Sequence, residues 1–206
     1  MDDNKLNSVV YAKQVVEFVA VGSEFCRIIE SAVDYPTPAL VDLTRKILPL
    51  LYFKASLLPE VQPVLDEPLE KYVSEMEYSL LLQKWSVKLA EADSYYEVFD
   101  PEIQFGSETV TASISENLMD IYQDLKDFIT AYSLGNEEVM NDALVECKAH
   151  FGEFWGQRLV NVLRALHQLV FYGSPDNSQV KNRDINMGNP PQSQGWVDRF
   201  FNRQDE

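Results

Sequence analysis

The chain has 206 residues, of which 46% are apolar and 24% charged, a globular rather than disordered composition sized for one domain with at most short appendages. Acids outnumber bases 33 to 17, a formal net charge of −16, which argues against a nucleic-acid binder and against docking on an anionic membrane, since both need a basic surface. Two cysteines make neither a disulfide framework nor a complete zinc site. The first helix is expected from about Asn7 to Ser31, with Val9, Ala12, Val16, Val19 and Cys26 on one side, widened by Phe25 and Ile29. Asp34-Tyr35-Pro36 ends it, and Thr37 offers an N-cap with Pro38 in the first helical position. The second helix carries Leu40, Leu43, Ile47, Leu50, Leu51 and Leu58; Pro49 lies inside it and predicts a kink or a break. Residues 59–70 hold three prolines and several acids and read as a loop.

Ser74-Glu75-Met76-Glu77 is a capping-box pattern, and Tyr78, Leu81, Leu82, Trp85 and Leu89 follow it at helical spacing. The acidic, aromatic stretch from Asp93 stops at Pro101, and residues 102–112 read as an irregular connection or a short hairpin. Ser113 and Glu116 repeat the capping box. In the helix they open, Ile114, Leu118, Ile121, Tyr122, Leu125, Phe128, Ile129 and Tyr132 share an arc of roughly 120°. Glu116, Asp120, Asp124 and Asp127 fall opposite and read as a solvated ridge. Asn136 caps a last helix that extends from Glu137 to Phe171. Its apolar face is centred on Met140, Leu144 and Cys147 up to Phe151, then on Leu159, Val162 and Leu166, turned by roughly 70°. Gly152 and Gly156 mark where it bends or splits. The composite is an all-α single bundle of five to six helices over residues 1–173, with a kinked long C-terminal helix. Residues 174–206 form a flexible tail: 174–193 are polar, and 195–202 hold Trp196, Phe200 and Phe201.

Four phrases carry a family resemblance: YYEVFDP from Tyr95, SENLMDIYQDLKDF from Ser115, FWGQRL from Phe154 and LRALH from Leu163. Together they resemble the bacterial, α-helical family catalogued as domain of unknown function 5063, over most of residues 9–172. The resemblance implies an all-helical fold. It brings no activity, substrate or catalytic residue with it, and the tail after Ser174 looks like an addition to the family core.

Linear signatures of chemistry are absent. No Gly-rich phosphate loop or dinucleotide fingerprint occurs, HExxH is missing, no Glu-x-x-His pair exists, and there is no Gly-x-Ser-x-Gly elbow. The N-terminus Met-Asp-Asp-Asn lacks a basic region and an apolar run, so a cytoplasmic location with free thiols is expected. No stretch is apolar over the roughly 20 residues a membrane span needs.

A few side chains remain as candidates. His150 lies near Glu146 and Glu153 on one helix face; three ligands from one helix suit a metal poorly, so neither metal nor cofactor is expected, and His150 reads as a core-edge residue. Arg158 follows Trp155 on the border of the apolar face and needs a carboxylate, with Asp93, Glu97 and Asp100 the natural partners. The functional version of that site is an anion pocket of Arg158, His167, Tyr95 and Tyr96. Trp196, Phe200 and Phe201 read as an anchor for a protein partner or for self-association. The leading expectation is a non-catalytic adaptor; the alternative is a ligand-, anion- or metal-binding bundle, or an enzyme, using Arg158, His150 and the Tyr95/Tyr96 segment.

Overall fold

A computed structural model describes residues 9–97 and 111–172. Five helices form the bundle: α1 (Lys13–Glu30), α2 (Thr37–Ser56), α3 (Glu75–Leu89), α4 (Ile114–Ser133) and a long last helix. That last helix consists of α5 (Glu137–His150), a π-helical turn (Phe151–Trp155) and α6 (Gly156–Tyr172). Two three-residue strands, β1 (Ser94–Tyr96) and β2 (Thr111–Ser113), pair antiparallel and lead into α4; residues 102–110 of the expected irregular connection or short hairpin lie outside the described residues. α4 is the central element and packs on α1, α3, α5 and α6, while α2 lies between α1 and α6. The aromatic centre of the core is Phe18, Phe128 and Trp155, with Phe18 and Trp155 stacked at 6.5 Å.

The caps explain where three helices start. Ser74 Oγ accepts from the Glu77 amide at 3.2 Å, Ser113 Oγ from Glu116 at 3.1 Å, and Asn136 Oδ1 from Glu138 and Val139. Each satisfies a first-turn amide that has no partner inside its helix. The start of α2 differs from expectation. Pro36 precedes the helix, Thr37 is its first residue, and the Thr37 hydroxyl donates to the Lys88 carbonyl at 3.3 Å. Thr37 therefore ties α2 to the end of α3 rather than capping its own helix. Two further expectations are corrected. The continuous first helix begins at Lys13, after a turn at residues 11–12, and buries Val15, Phe18, Gly22, Phe25, Cys26, Ile28 and Ile29, while Val16 faces outward. Of the two outcomes expected at Pro49 the break does not occur, since α2 is continuous from Thr37 to Ser56, and Leu50 points away from the core that Leu40, Leu48 and Leu51 enter.

The bend in the last helix is the π turn, which inserts one extra residue and so rotates the apolar face between Cys147 and Leu159. The Gly156 amide donates across the wide turn to the Phe151 carbonyl. A Cβ on Gly156 would stand 2.3 Å from that oxygen, so only glycine closes the turn. The Trp155 indole N–H donates back to the Cys147 carbonyl at 3.2 Å and pins the ring beneath the bend. A Cβ on Gly152 would meet nothing within 4 Å. Gly156→Ala is therefore expected to destabilise the fold by at least about 1 to 3 kcal/mol, and Gly152→Ala to leave it unchanged or more stable by up to about 1 kcal/mol. Urea denaturation of both variants checks the pair.

Candidate functional site

α4 buries Ile114, Leu118, Ile121, Tyr122, Leu125 and Phe128 on its inner face. Its acidic row is the unexpected part. Asp120, Asp124 and Asp127 do not form a solvated ridge, because α3, α5, α6 and the irregular segment 59–73 converge on them. Asp120 accepts from the Tyr78 hydroxyl at 2.8 Å and from Arg158 Nε at 2.9 Å. Asp124 Oδ1 lies 2.8 Å from His150 Nδ1. Asp127, 8% exposed, accepts the Tyr72 and Val73 amides on one oxygen at 2.7 and 2.9 Å.

A second aspartate, Asp142 on α5, does the same further along the segment, where its two oxygens each accept one amide, from Val64 and Leu65, at 2.8 Å. Asn141 Nδ2 donates to the Gln62 carbonyl, and the pairs Lys71–Glu146 and Lys148–Glu60 flank the strap. A proline-rich stretch with no regular structure cannot pair its own amides, and two buried carboxylates supply the acceptors.

The electrostatics follow from burial. Desolvation, and then the bond to Asp120, push the Tyr78 hydroxyl well above its ordinary range. Desolvation raises the Asp124 carboxyl against the opposing pull of the His150 bond, and Asp124 Oδ2 has no hydrogen-bond partner among the described residues. The Cys147 thiol is raised far by burial and then by Asp124, so it is no thiolate nucleophile. The cavity between Lys71, Asp124, Asp127, Glu146, Cys147 and His150 amounts to about 10 Å³. That is room for about one water, against the 300 Å³ or more of a small-molecule pocket.

The candidates named from sequence are dispersed. Arg158 pairs with Asp120 rather than with Asp93 or Glu97, Asp100 lying outside the described residues; it keeps its side chain about one-third exposed, at 34%, and lies 3.7 Å over the Phe154 ring. Asp93 instead accepts from the Ser115 amide and from the Ser113 and Ser115 hydroxyls. Glu97 accepts from Asn161 Nδ2. The Tyr95 hydroxyl accepts from Asn117 Nδ2 at 2.7 Å, and burial lifts its pKa to about 12. Tyr96 is exposed and offers its carbonyl to Arg164. His167 is exposed against Phe171, and Trp155 is a core side chain. Among the described residues these four side chains have separate neighbours: Asp120 and Phe154 for Arg158, Phe171 for His167, Asn117 for Tyr95, and solvent for Tyr96. His150 meets Asp124 and not the pair Glu146 and Glu153; among the described residues no group of three or more His, Cys, Asp or Glu side chains is arranged to hold a metal ion. Trp196, Phe200 and Phe201 lie outside the described residues, and no described helix is long and apolar enough to cross a membrane.

The family model described as domain of unknown function DUF5063 matches residues 9–172. A crystal structure of protein BF1032 from Bacteroides fragilis is similar at 46% identity, over 82% of this chain and 98% of that one, with a TM-score of 0.72. Comparison with curated proteins finds no match.

Two outcomes follow from the acidic row. Asp127→Ala strands the Tyr72 and Val73 amides and is expected to cost at least about 1 to 3 kcal/mol, whereas Glu116→Ala, on the exposed side of the same helix, stays within about 0.5 kcal/mol; chemical denaturation separates them. The second concerns pH. A carboxyl whose pKa is raised by folding contributes stability that is complete below the ordinary Asp value of about 3.9 and lost as pH rises through the raised value. Asp124→Asn removes that loss. The stability of this variant relative to wild type is therefore expected to increase as pH rises from about 4, read by denaturation midpoints across a pH series.

Proposed function

This chain belongs to the DUF5063 family, and from that premise we propose that it is a non-catalytic helical adaptor that works by binding another protein. One observation carries the reading: the polar side chains along the outer row of α4 pair across helices, Asp120 with Tyr78 and Arg158 and Asp124 with His150, and the cavity beside Asp124 and His150, of about 10 Å³, has room for about one water. A site for an organic substrate needs side chains that converge on a shared, roomy void and keep hydrogen-bonding capacity for the ligand. Asp120 accepts from both Tyr78 and Arg158, and the Tyr95 hydroxyl accepts from Asn117.

The contact falls in this reading to the C-terminal segment 195–202. Trp196, Phe200 and Phe201 provide large apolar area there, in a stretch otherwise rich in polar residues. A cytoplasmic location goes with the proposal, supported by Cys26 and Cys147, which are both free thiols. In-cell photo-crosslinking from positions within 195–202 tests it. The expected result is one defined protein partner whose recovery falls at least about tenfold in Trp196→Ala. Equal recovery from the variant removes the proposal. A small molecule bound one-to-one in native mass spectrometry of the tag-free chain replaces it with the ligand-binding alternative.

A further inference from the structure

The strap is fastened by other means than the helices it crosses. Among the described residues, 59–73 make no backbone–backbone hydrogen bond. Pro59, Pro63 and Pro68 have no amide to donate. The amides of Val64 and Leu65 go to Asp142, and those of Tyr72 and Val73 to Asp127. No residue from 59 to 72 is buried, and of their apolar side chains Val61, Leu69 and Tyr72 pack against the core. The pairs Lys71–Glu146 and Lys148–Glu60 lie at the surface, where ion pairs add little.

Lifting the strap therefore breaks none of the hydrogen bonds inside the helices. It returns Asp127 and Asp142 to water together with the amides they held, so no polar group is stranded. The strap also regains chain freedom, which offsets part of the contact energy lost. Unfolding a helix costs far more, because it exposes the core as well. Segments with few buried apolar contacts and no ladder of backbone bonds are the ones that open locally in a folded protein.

What the strap covers is specific. Leu69 and Lys71 form one wall of the cavity that Asp124, Cys147 and His150 complete from α4 and α5. Cys147 is 3% exposed there. Cys26 is buried to the same degree, at 4%, but sits on α1 with Glu30 and Lys126 as its charged neighbours. We propose that the strap is a detachable cover: it lifts while the helices stay folded, and the crevice between α4 and α5 that holds Cys147 and His150 then opens to solvent. The covering residues 66–71 are fastened on both sides, so they clear the crevice only when one of the two aspartates lets go. The device does not use residues 195–202 and stands apart from the adaptor reading.

Alkylation of the folded full-length chain with iodoacetamide, with each thiol quantified by peptide mapping, tests this, the two cysteines serving as reporters. Cys147 is expected to react at least about tenfold faster than Cys26, because it needs only the local opening. Urea below the unfolding transition is expected to speed Cys26, whose exposure requires the core to unfold, and to leave Cys147 nearly unchanged, because lifting the strap exposes little surface. Asp142→Asn, outside the cavity wall, puts one carbonyl acceptor where two oxygens stood, and is expected to speed Cys147 at least about tenfold. Amide hydrogen exchange of the wild type supplies a readout that needs no variant: Val64, Leu65, Tyr72 and Val73 are expected to exchange with little dependence on urea, and the amides at the centre of α4 with the full dependence of global unfolding. Equal rates at the two thiols overturn the proposal. So does a Cys147 rate that follows urea as Cys26 does, an Asp142→Asn chain with Cys147 unchanged, or strap amides that follow those of α4.

Discussion

A carboxylate leaves water only where donors take over its hydration, and α4 carries three that do so along one side. Asp120, Asp124 and Asp127 draw in a tyrosine from α3, a histidine and an arginine from the two halves of the last helix, and two amides from the strap. α4 is thereby held on both sides, by apolar packing on its inner face and by polar pairing on the other. The apolar face supplies most of the burial. The acidic row adds direction, because hydrogen bonds have partners and angles where hydrophobic contact has only area. A partner removed from such a row leaves a stranded group, so the cost of losing one exceeds what the intact pair contributes.

A second polar cluster works in the same sense at the other side of α4. The Tyr122 hydroxyl lies 3.0 Å from both Glu30 and Glu77, and Lys126 pairs with Glu30. α1, α3 and α4 meet there, and burial with two acids nearby pushes the phenol far above its ordinary range. Glu77 thus serves the interior rather than completing the reciprocal half of its capping box. Much of the acidity of the chain between residues 59 and 127 is structural in this way.

How much of this was legible in the sequence varies by element. The caps at Ser74, Ser113 and Asn136, and the inner arc of α4, follow from spacing alone, because α4 is cleanly two-sided. α1 is apolar on nearly every side between Val15 and Val21, so periodicity does not choose between Val15 and Val16, and the phase is settled only by what packs against the helix. The acidic row shows a different limit. Amphipathic pattern says that Asp124 and Asp127 point away from the apolar face; it does not say whether water or a donor waits there. The available signal lay elsewhere, in residues 59–70, where prolines and acids leave backbone amides that must find acceptors. Arg158 needed a carboxylate, as its place beside Trp155 implied, but three acids near Tyr95 and the row on α4 were equal candidates by charge. Asp93 and Glu97 had closer claims from Ser115 and Asn161.

The strap also bears on how this family can vary in length. Irregular surface segments are where chains normally absorb insertions and deletions, because no partner registers the change. Here Asp142 grips the chain at Val64 and Leu65, and Asp127 grips it again at Tyr72 and Val73. Only residues 66–71 lie between the two grips, and they must span a fixed gap between two helices whose own spacing the core sets. A residue added within that span has to bulge outward, and a residue lost pulls one aspartate off its amides. The stretch least like regular structure is therefore among the least free to change its length, and relatives should differ in residue count at the β1–β2 connection or after α6 before they differ here.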